Sequence, residues 1–256
     1  MTPEVVLDAL QLPAQALIAH RVPKTLLVEN GAPTAADKRH IETGIEELRW
    51  VATLKPTTVG VATYTDDTRE AVELAVLILR VRTKAKLTRL VELVHRAVPY
   101  HLLLLTQMTL EDKRVGVHLS LADKRWAQNE KDKVVLDGDI VQCDTATLTE
   151  AVHQRLIESL SITHQPRSNL HTLYRGWIDT ILTAKAATIT GDFVPAADAD
   201  HAQDRATALK ACAKLEGRIA SIRSAAAKEK QLARRVELNT QLKALKGELD
   251  TARQRL

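Results

Sequence analysis

No proline interrupts the chain between Ala202 and Leu256, and only Gly217 and Gly247 punctuate a run otherwise rich in Ala, Leu, Lys, Arg, Glu and Gln. These are the better helix formers, so the stretch is constrained to be helical nearly throughout. Leu215, Ile219, Ile222 and Ala226 recur at four-three-four spacing, and Leu238, Leu242, Leu245, Leu249, Ala252 and Leu256 keep a similar one. Each half therefore carries a seam of coiled-coil type. At about 100° per residue, Leu242 falls roughly 160° around a straight helix from Ala226. Either the helix breaks near Ser224 to Lys230 and folds into a hairpin, or its halves face different surfaces.

Charge follows the same division. Residues 202–256 hold thirteen Lys and Arg against six Asp and Glu, a charge of +7, which leaves −3 on residues 1–201 of a chain whose net charge is +4. The basic character resides in the tail. The 45% apolar content and a total of 17 Gly and Pro among 256 residues exclude collagen-like and wholly disordered classes. The longest apolar runs, Val72 to Val81 and His101 to Leu105, are strand-sized and far short of a membrane span. With no basic and apolar leader at Met1 to Asp8, a cytoplasmic protein is expected. Cys143 and Cys212 stand alone, which argues against a disulfide framework and a zinc ribbon.

Ahead of the tail the periodicity alternates. Thr2-Pro3 opens a short helix, and Ala16 to Ile18 and Val22 to Val28 read as extended because proline biases its predecessor away from helix. Thr34-x-x-Asp37 resembles a capping box, and Ile41, Ile45 and Leu48 describe a helix face reaching Arg49 or Trp50. Strands are expected at Trp50 to Leu54, Thr58 to Tyr64, Val72 to Arg82, Tyr100 to Leu105 and Val115 to Leu121, the last half-exposed, with a helix carrying Leu87, Leu90, Val91 and Val94 and ending before Pro99. Lys124 to Asp132 reads as a surface turn, and Val134 to Cys143 as a hairpin about Asp137-Gly138. From Leu148 onward helical spacing returns, with a stronger stripe at Leu170, Leu173, Tyr174, Trp177, Ile178, Ile181 and Leu182.

The predicted fold class is α+β, a mixed β-sheet with packed helices followed by helices and a long C-terminal helical hairpin or coiled coil. The expected boundaries are an α/β domain over 1–145, a helical pair over 146–187, a linker loop over 188–201 and the basic tail over 202–256.

Val22-Pro-Lys-Thr, Gly44 to Trp50 with Leu54-Lys-Pro-Thr, Glu73 to Lys84, Leu90 to Leu104, and Lys230 to Lys243 together resemble a bacterial family of unknown function, domain-of-unknown-function family 4391. The resemblance runs from about Ile18 to Leu249. It implies a place beside Swi/Snf-type or DEAD-box helicases and DNA methyltransferases in restriction-like and anti-phage loci, and assigns no chemistry. This chain departs from the family's long strand by carrying Ile78 and Leu79 where a second acidic residue is expected, while Lys84 matches the family's terminal lysine.

A metal-dependent nuclease needs carboxylates and a lysine converging on a metal. Glu46, Glu47, Glu73 and Lys84 are the set that can be assembled, but a solvated helix face for Glu46 and Glu47 and strand ends for the other two are the favoured reading. Asp198, Asp200, His201 and Asp204 could hold a divalent ion, but they lie where acidic residues cap a helix start, and helix-start chemistry is the favoured reading. No His-Glu-x-x-His motif occurs, and His164 and His171 flank a loop, so no zinc site is expected. No phosphate loop and no nucleophile elbow is present. No catalytic residue, metal ligand or cofactor is assigned.

Lys228, Lys230, Arg234, Arg235, Lys243 and Lys246 are candidate nucleic-acid contacts, since clustered cations gain from counterion release. Aromatic residues are 3% of the chain and none lies in the tail, so such contacts would be to the duplex backbone. Leu238, Leu242, Leu245 and Leu249 are the candidate partner-binding stripe. The reading is a non-catalytic accessory or adaptor subunit docking on a helicase, methyltransferase or nuclease of a DNA-processing or defence complex; the alternatives are a divergent metal-dependent nuclease and a self-associating coiled-coil scaffold.

Overall fold

Within Leu74–Val81 (β5) every residue is buried except Arg80, the pattern of a strand covered on both faces. The computed structural model describes residues 1–82, 85–109, 115–130 and 133–256, and the chain divides into two units, Met1–Ile181 and Leu182–Leu256. The first opens with α1 (Pro3–Ala9), β1 (Leu17–Arg21), α2 (Lys24–Gly31), α3 (Ala35–Gly44), β2 (Ile45–Leu54) and the single turn α4 (Pro56–Val59). Two-residue strands β3 (Tyr64–Thr65) and β4 (Glu70–Ala71) precede β5, followed by α5 (Leu87–Ala97), β6 (His101–Thr109), β7 (Val115–Leu121), β8 (Lys124–Trp126), β9 (Val134–Leu136) and β10 (Val141–Asp144). Helices α6 (Glu150–Ser159) and α7 (Leu170–Thr190) follow, with the division between units falling inside α7.

The architecture is α+β. Six strands form a mixed sheet in the order β1-β2-β5-β6-β7-β10, with β5 and β6 parallel and the other neighbours antiparallel. A parallel pair requires a crossover, and α5 supplies it. Its Leu90, Val91, Leu93 and Val94 join Leu27 of α2, Ile41 of α3, and Leu48, Ala75, Leu77, Leu79, Leu102 and Leu104 of the sheet in one core cluster. Tyr174 and Trp177 of α7 are fully buried, and the Tyr174 hydroxyl accepts from Ala122 N at 2.9 Å and reaches Leu102 O at 2.9 Å.

Several local expectations give way to tertiary packing. Lys24 to Gly31 is a helix, not extended chain: Pro23 stands at its N-cap with an extended backbone, and the helix seats on α5 where a Cβ on Gly31 would lie 2.7 Å from Leu93 O. The helix beginning at Ala35 stops at Gly44, and Ile45 to Trp50 belong to β2 because they pair with β5 from Ile45↔Val81 to Leu54↔Leu74. Thr58 lies in the α4 turn, leaving only Tyr64 and Thr65 in a strand. β7 is buried from Gly116 to Leu121 instead of half-exposed. Lys124 is not on a surface turn; it is 2% exposed, opens β8, and donates from Nζ to the carbonyls of His95 and Val98. Asp132, at the end of that expected turn, lies outside the described residues. The expected hairpin about Gly138 is replaced by two separate pairings, β9 with β8 and β10 with β7.

The second unit contains the end of α7, α8 (Ala199–Lys228) and α9 (Leu232–Arg253). Asp198 caps α8, accepting from His201 N at 2.8 Å, as its place before the helix implies. The break at Glu229 to Gln231 folds the tail into a hairpin, and Cys212, Leu215 and Ile219 of α8 form one apolar cluster with Leu245, Leu249 and Ala252 of α9. No helix among the described residues is long and apolar enough to cross a membrane.

Candidate functional site

The carboxylates proposed for a nuclease do not meet. Glu47 lies at the start of β2 and accepts from Arg80 Nη1 at 3.1 Å, while Glu73 precedes β5 and pairs with Lys55 at 2.9 Å. In the β2–β5 register Glu47 faces Arg80 and Leu54 faces Leu74, so Glu47 and Glu73 stand at opposite ends of the pair, about 20 Å apart at about 3.3 Å per residue. Glu46 is exposed on β2, and Lys84 lies outside the described residues. Each described member is occupied by a local cation or by solvent.

In the second unit the leucine stripe grades from exposed to buried along α9: Leu238 and Leu242 are half-buried, Leu245 and Leu249 buried. Leu245 and Leu249 are seated in the apolar cluster with α8. Lys228, Lys230, Arg234, Arg235, Lys243 and Lys246 are all exposed. At about 100° per residue, Arg235, Lys246 and Lys243 fall in a sector roughly 80° wide beside the seam, a row that Asp250 closes. Among the described residues, Arg234 is the member of the six with an acidic partner, Glu237 at 3.9 Å.

A third group was invisible to sequence reasoning. His101 is the first residue of β6, Asp123 lies between β7 and β8, and His171 is the second residue of α7, yet one nitrogen or oxygen from each lies within 4.8 Å of the others. His101 Nε2, Asp123 Oδ1 and His171 Nε2 are each buried, and none has a hydrogen-bond partner among the described residues. The closest charged approach, His171 Nε2 to Asp123 Oδ1, is 3.8 Å, too long for a hydrogen bond. The surroundings fix all three side chains. Arg175 donates to Asp123 Oδ2 at 2.6 Å, Tyr64 stacks on His171 at 5.0 Å between ring centroids, and Tyr174 meets His101 edge-on at 4.9 Å. Burial presses the His101 imidazole down to about 3 against the opposing pull of Asp123. Burial pushes the Asp123 carboxyl up, but His171 and the Arg175 guanidinium outweigh it and bring it down to about 2. At neutral pH the group is thus a neutral imidazole, an ionised carboxylate and His171. Separations of 22 and 48 residues between its members leave no local spacing to read; a β-strand start, a strand-to-strand loop and a helix start converge only in the folded sheet.

Taken together, the structure defines an α+β protein with a mixed six-stranded sheet and C-terminal helices, carrying a basic helical hairpin and a buried cluster of polar side chains. The chain belongs to the family described as Domain of unknown function (DUF4391), whose model matches residues 10–249. No curated protein and no solved structure matches it.

Proposed function

We propose that this chain is a non-catalytic accessory subunit of a bacterial DNA-processing or anti-phage assembly, encoded beside and docking on a helicase, methyltransferase or nuclease, with the α8–α9 hairpin as its contact to the duplex backbone. The observation that carries the reading is the exposed cation row of Arg235, Lys243 and Lys246, held on a helix whose apolar stripe is already occupied by α8. A rigid row of cations without aromatic side chains suits phosphates and reads no bases. The separation of Glu47 from Glu73 counts against the nuclease alternative. Occupation of Leu245 and Leu249 within the hairpin counts against self-association through that seam.

The test has two arms. Fluorescence anisotropy of the full chain with duplex DNA across a salt series should give weak, sequence-tolerant binding that collapses as ionic strength rises, and an Arg235→Ala, Lys243→Ala, Lys246→Ala variant should flatten that dependence. Affinity purification from the native host should retain a helicase, methyltransferase or nuclease subunit. Mg²⁺-dependent cleavage by the purified chain that vanished in Glu73→Ala would overturn the reading, as would tight DNA binding indifferent to salt.

A further inference from the structure

Three buried polar atoms in one place, each without a hydrogen-bond partner among the described residues, are the feature of the first unit that its own packing leaves unexplained. Desolvating even one such group without compensation costs kilocalories, and native structures pair the great majority of them with protein, water or an ion. Chance burial of a single orphan is unremarkable in a domain of this size. Convergence of His101 Nε2, Asp123 Oδ1 and His171 Nε2 within 4.8 Å of one another is a different matter, because all three are of ligand type and all three are buried.

We propose that His101, Asp123 and His171 form a binding site for one divalent first-row transition-metal ion, Zn²⁺ being the best match to two imidazoles and a carboxylate. Imidazole nitrogen suits Zn²⁺ and its neighbours in the series, whereas Mg²⁺ and Ca²⁺ take oxygen ligands. An ion about 2.0–2.2 Å from each ligand needs ligand separations of roughly 3–3.5 Å. The 3.8 Å between His171 Nε2 and Asp123 Oδ1 is close to that already, and the remaining pairs lie within 4.8 Å.

The outer shell fits the same reading. Arg175 holds Asp123 by Oδ2 and thereby leaves Oδ1 for the ion, while Tyr64 and Tyr174 fix the planes of the two imidazoles. Outer-shell groups of this kind orient ligands and tune affinity. The Asp123 and His171 side chains keep 14% and 16% exposure at their other atoms, while the three ligand atoms themselves are buried. Three protein ligands leave the fourth position of a tetrahedral ion for a water, the arrangement of an open site in contrast to a closed structural one with four protein ligands. The inference is independent of the hairpin and holds whether or not the accessory reading does.

The experiment uses the full chain, stripped with a chelator and titrated with Zn²⁺ against a chromophoric competitor, with Co²⁺ as a spectroscopic substitute. One equivalent of Zn²⁺ per chain, visible Co²⁺ d–d bands and a metal-dependent rise in Tm are expected. His171→Ala and Asp123→Asn should weaken binding by at least the about 10–100-fold that outer-shell substitutions cost, and should abolish the rise in Tm. Exposed His164→Ala should change none of these, and circular dichroism of each metal-free variant reports whether the fold persists. Failure of the unmodified chain to bind stoichiometric Zn²⁺ or Co²⁺ overturns the proposal whatever the variants do, leaving a water-bridged polar cluster. Unchanged affinity in folded His171→Ala and Asp123→Asn overturns it equally.

Discussion

Arg89 grips Asp37 with two parallel hydrogen bonds, Nε to Oδ1 at 2.8 Å and Nη2 to Oδ2 at 2.9 Å, tying α5 to the first turn of α3. Thr34 donates its hydroxyl to the same carboxylate at 2.7 Å and accepts from Asp37 N at 3.1 Å, so the helix cap and the interhelical pair share one side chain. Asp37 is 4% exposed, and the Arg89 bonds, followed by that from Thr34, hold its carboxyl well below the usual carboxylate range.

This depression sets the sign of an acid effect. In the interval between the folded value and the unfolded one, near 3.9, the unfolded chain binds the extra proton, so the stabilisation from Asp37 is complete above about pH 5 and drains away as pH falls below about 4. Asp37→Asn is expected to lower the urea midpoint at neutral pH, with a gap from the unmodified chain that stays level to about pH 5 and narrows below. A gap constant down to pH 3 would show that the carboxylate charge is not what joins the helices.

A second acid effect begins at higher pH. His95 of α5 is fully buried, its Nε2 lies 3.0 Å from Ser120 Oγ of β7, and burial, followed by the nearby Lys124, keeps its imidazole well below the ordinary histidine value. Below about pH 6.5 the unfolded chain takes up a proton that the folded chain refuses, so stability should fall by up to about 1.4 kcal/mol per pH unit from this group. Replacing both partners, as in His95→Leu with Ser120→Ala, avoids stranding either polar group. Denaturation between pH 5 and 8 should show the slope in the unmodified chain and a shallower one in the double variant. Since His101 is retained in both proteins, its own contribution cancels in the comparison. Parallel slopes would assign the acid sensitivity elsewhere.

What could be read in the sequence, and what could not, follows from the range over which each structure is determined. The helix from Leu87 shows its apolar face at local spacing and ends at Ala97, just ahead of Pro99, and the tail's phase shift allows a break between Ser224 and Lys230, a window that contains Glu229. Such features depend on neighbours in the chain. The stretch Ile45 to Trp50 fits a helix face as well as a strand, and only the ladder with β5 decides it. Lys124 looks solvated because lysine usually is, and the carbonyls of His95 and Val98 that satisfy it lie more than twenty residues away. The His101, Asp123 and His171 cluster is the extreme case, since each residue taken in its own segment has no unusual neighbour.

The tail offers the sharpest separation of packing from charge. Leu245 is 4% exposed in the seam with Cys212, Leu215 and Ile219, whereas Leu242 is half-buried at its margin and Leu238 lies nearer the turn that joins the two helices. Truncating a fully buried leucine costs about 2–5 kcal/mol through lost transfer energy and the cavity left behind, and a two-helix seam that can partly collapse belongs at the low end. The expected order of destabilisation is therefore Leu245→Ala above Leu242→Ala above Leu238→Ala, read as loss of helical signal on heating. Lys243→Ala with Lys246→Ala removes exposed charge and no packing, so it should leave the melting curve within about 0.5 kcal/mol of the unmodified chain. The same pair should lower the slope of log affinity against log salt for duplex DNA by about one per lysine that contacts a phosphate. Circular dichroism and a salt series on the same preparations check both halves. If the lysine pair left DNA binding untouched while Leu245→Ala melted the hairpin, the cation row would be a solvated face, and the hairpin would have to be sought as a protein contact instead.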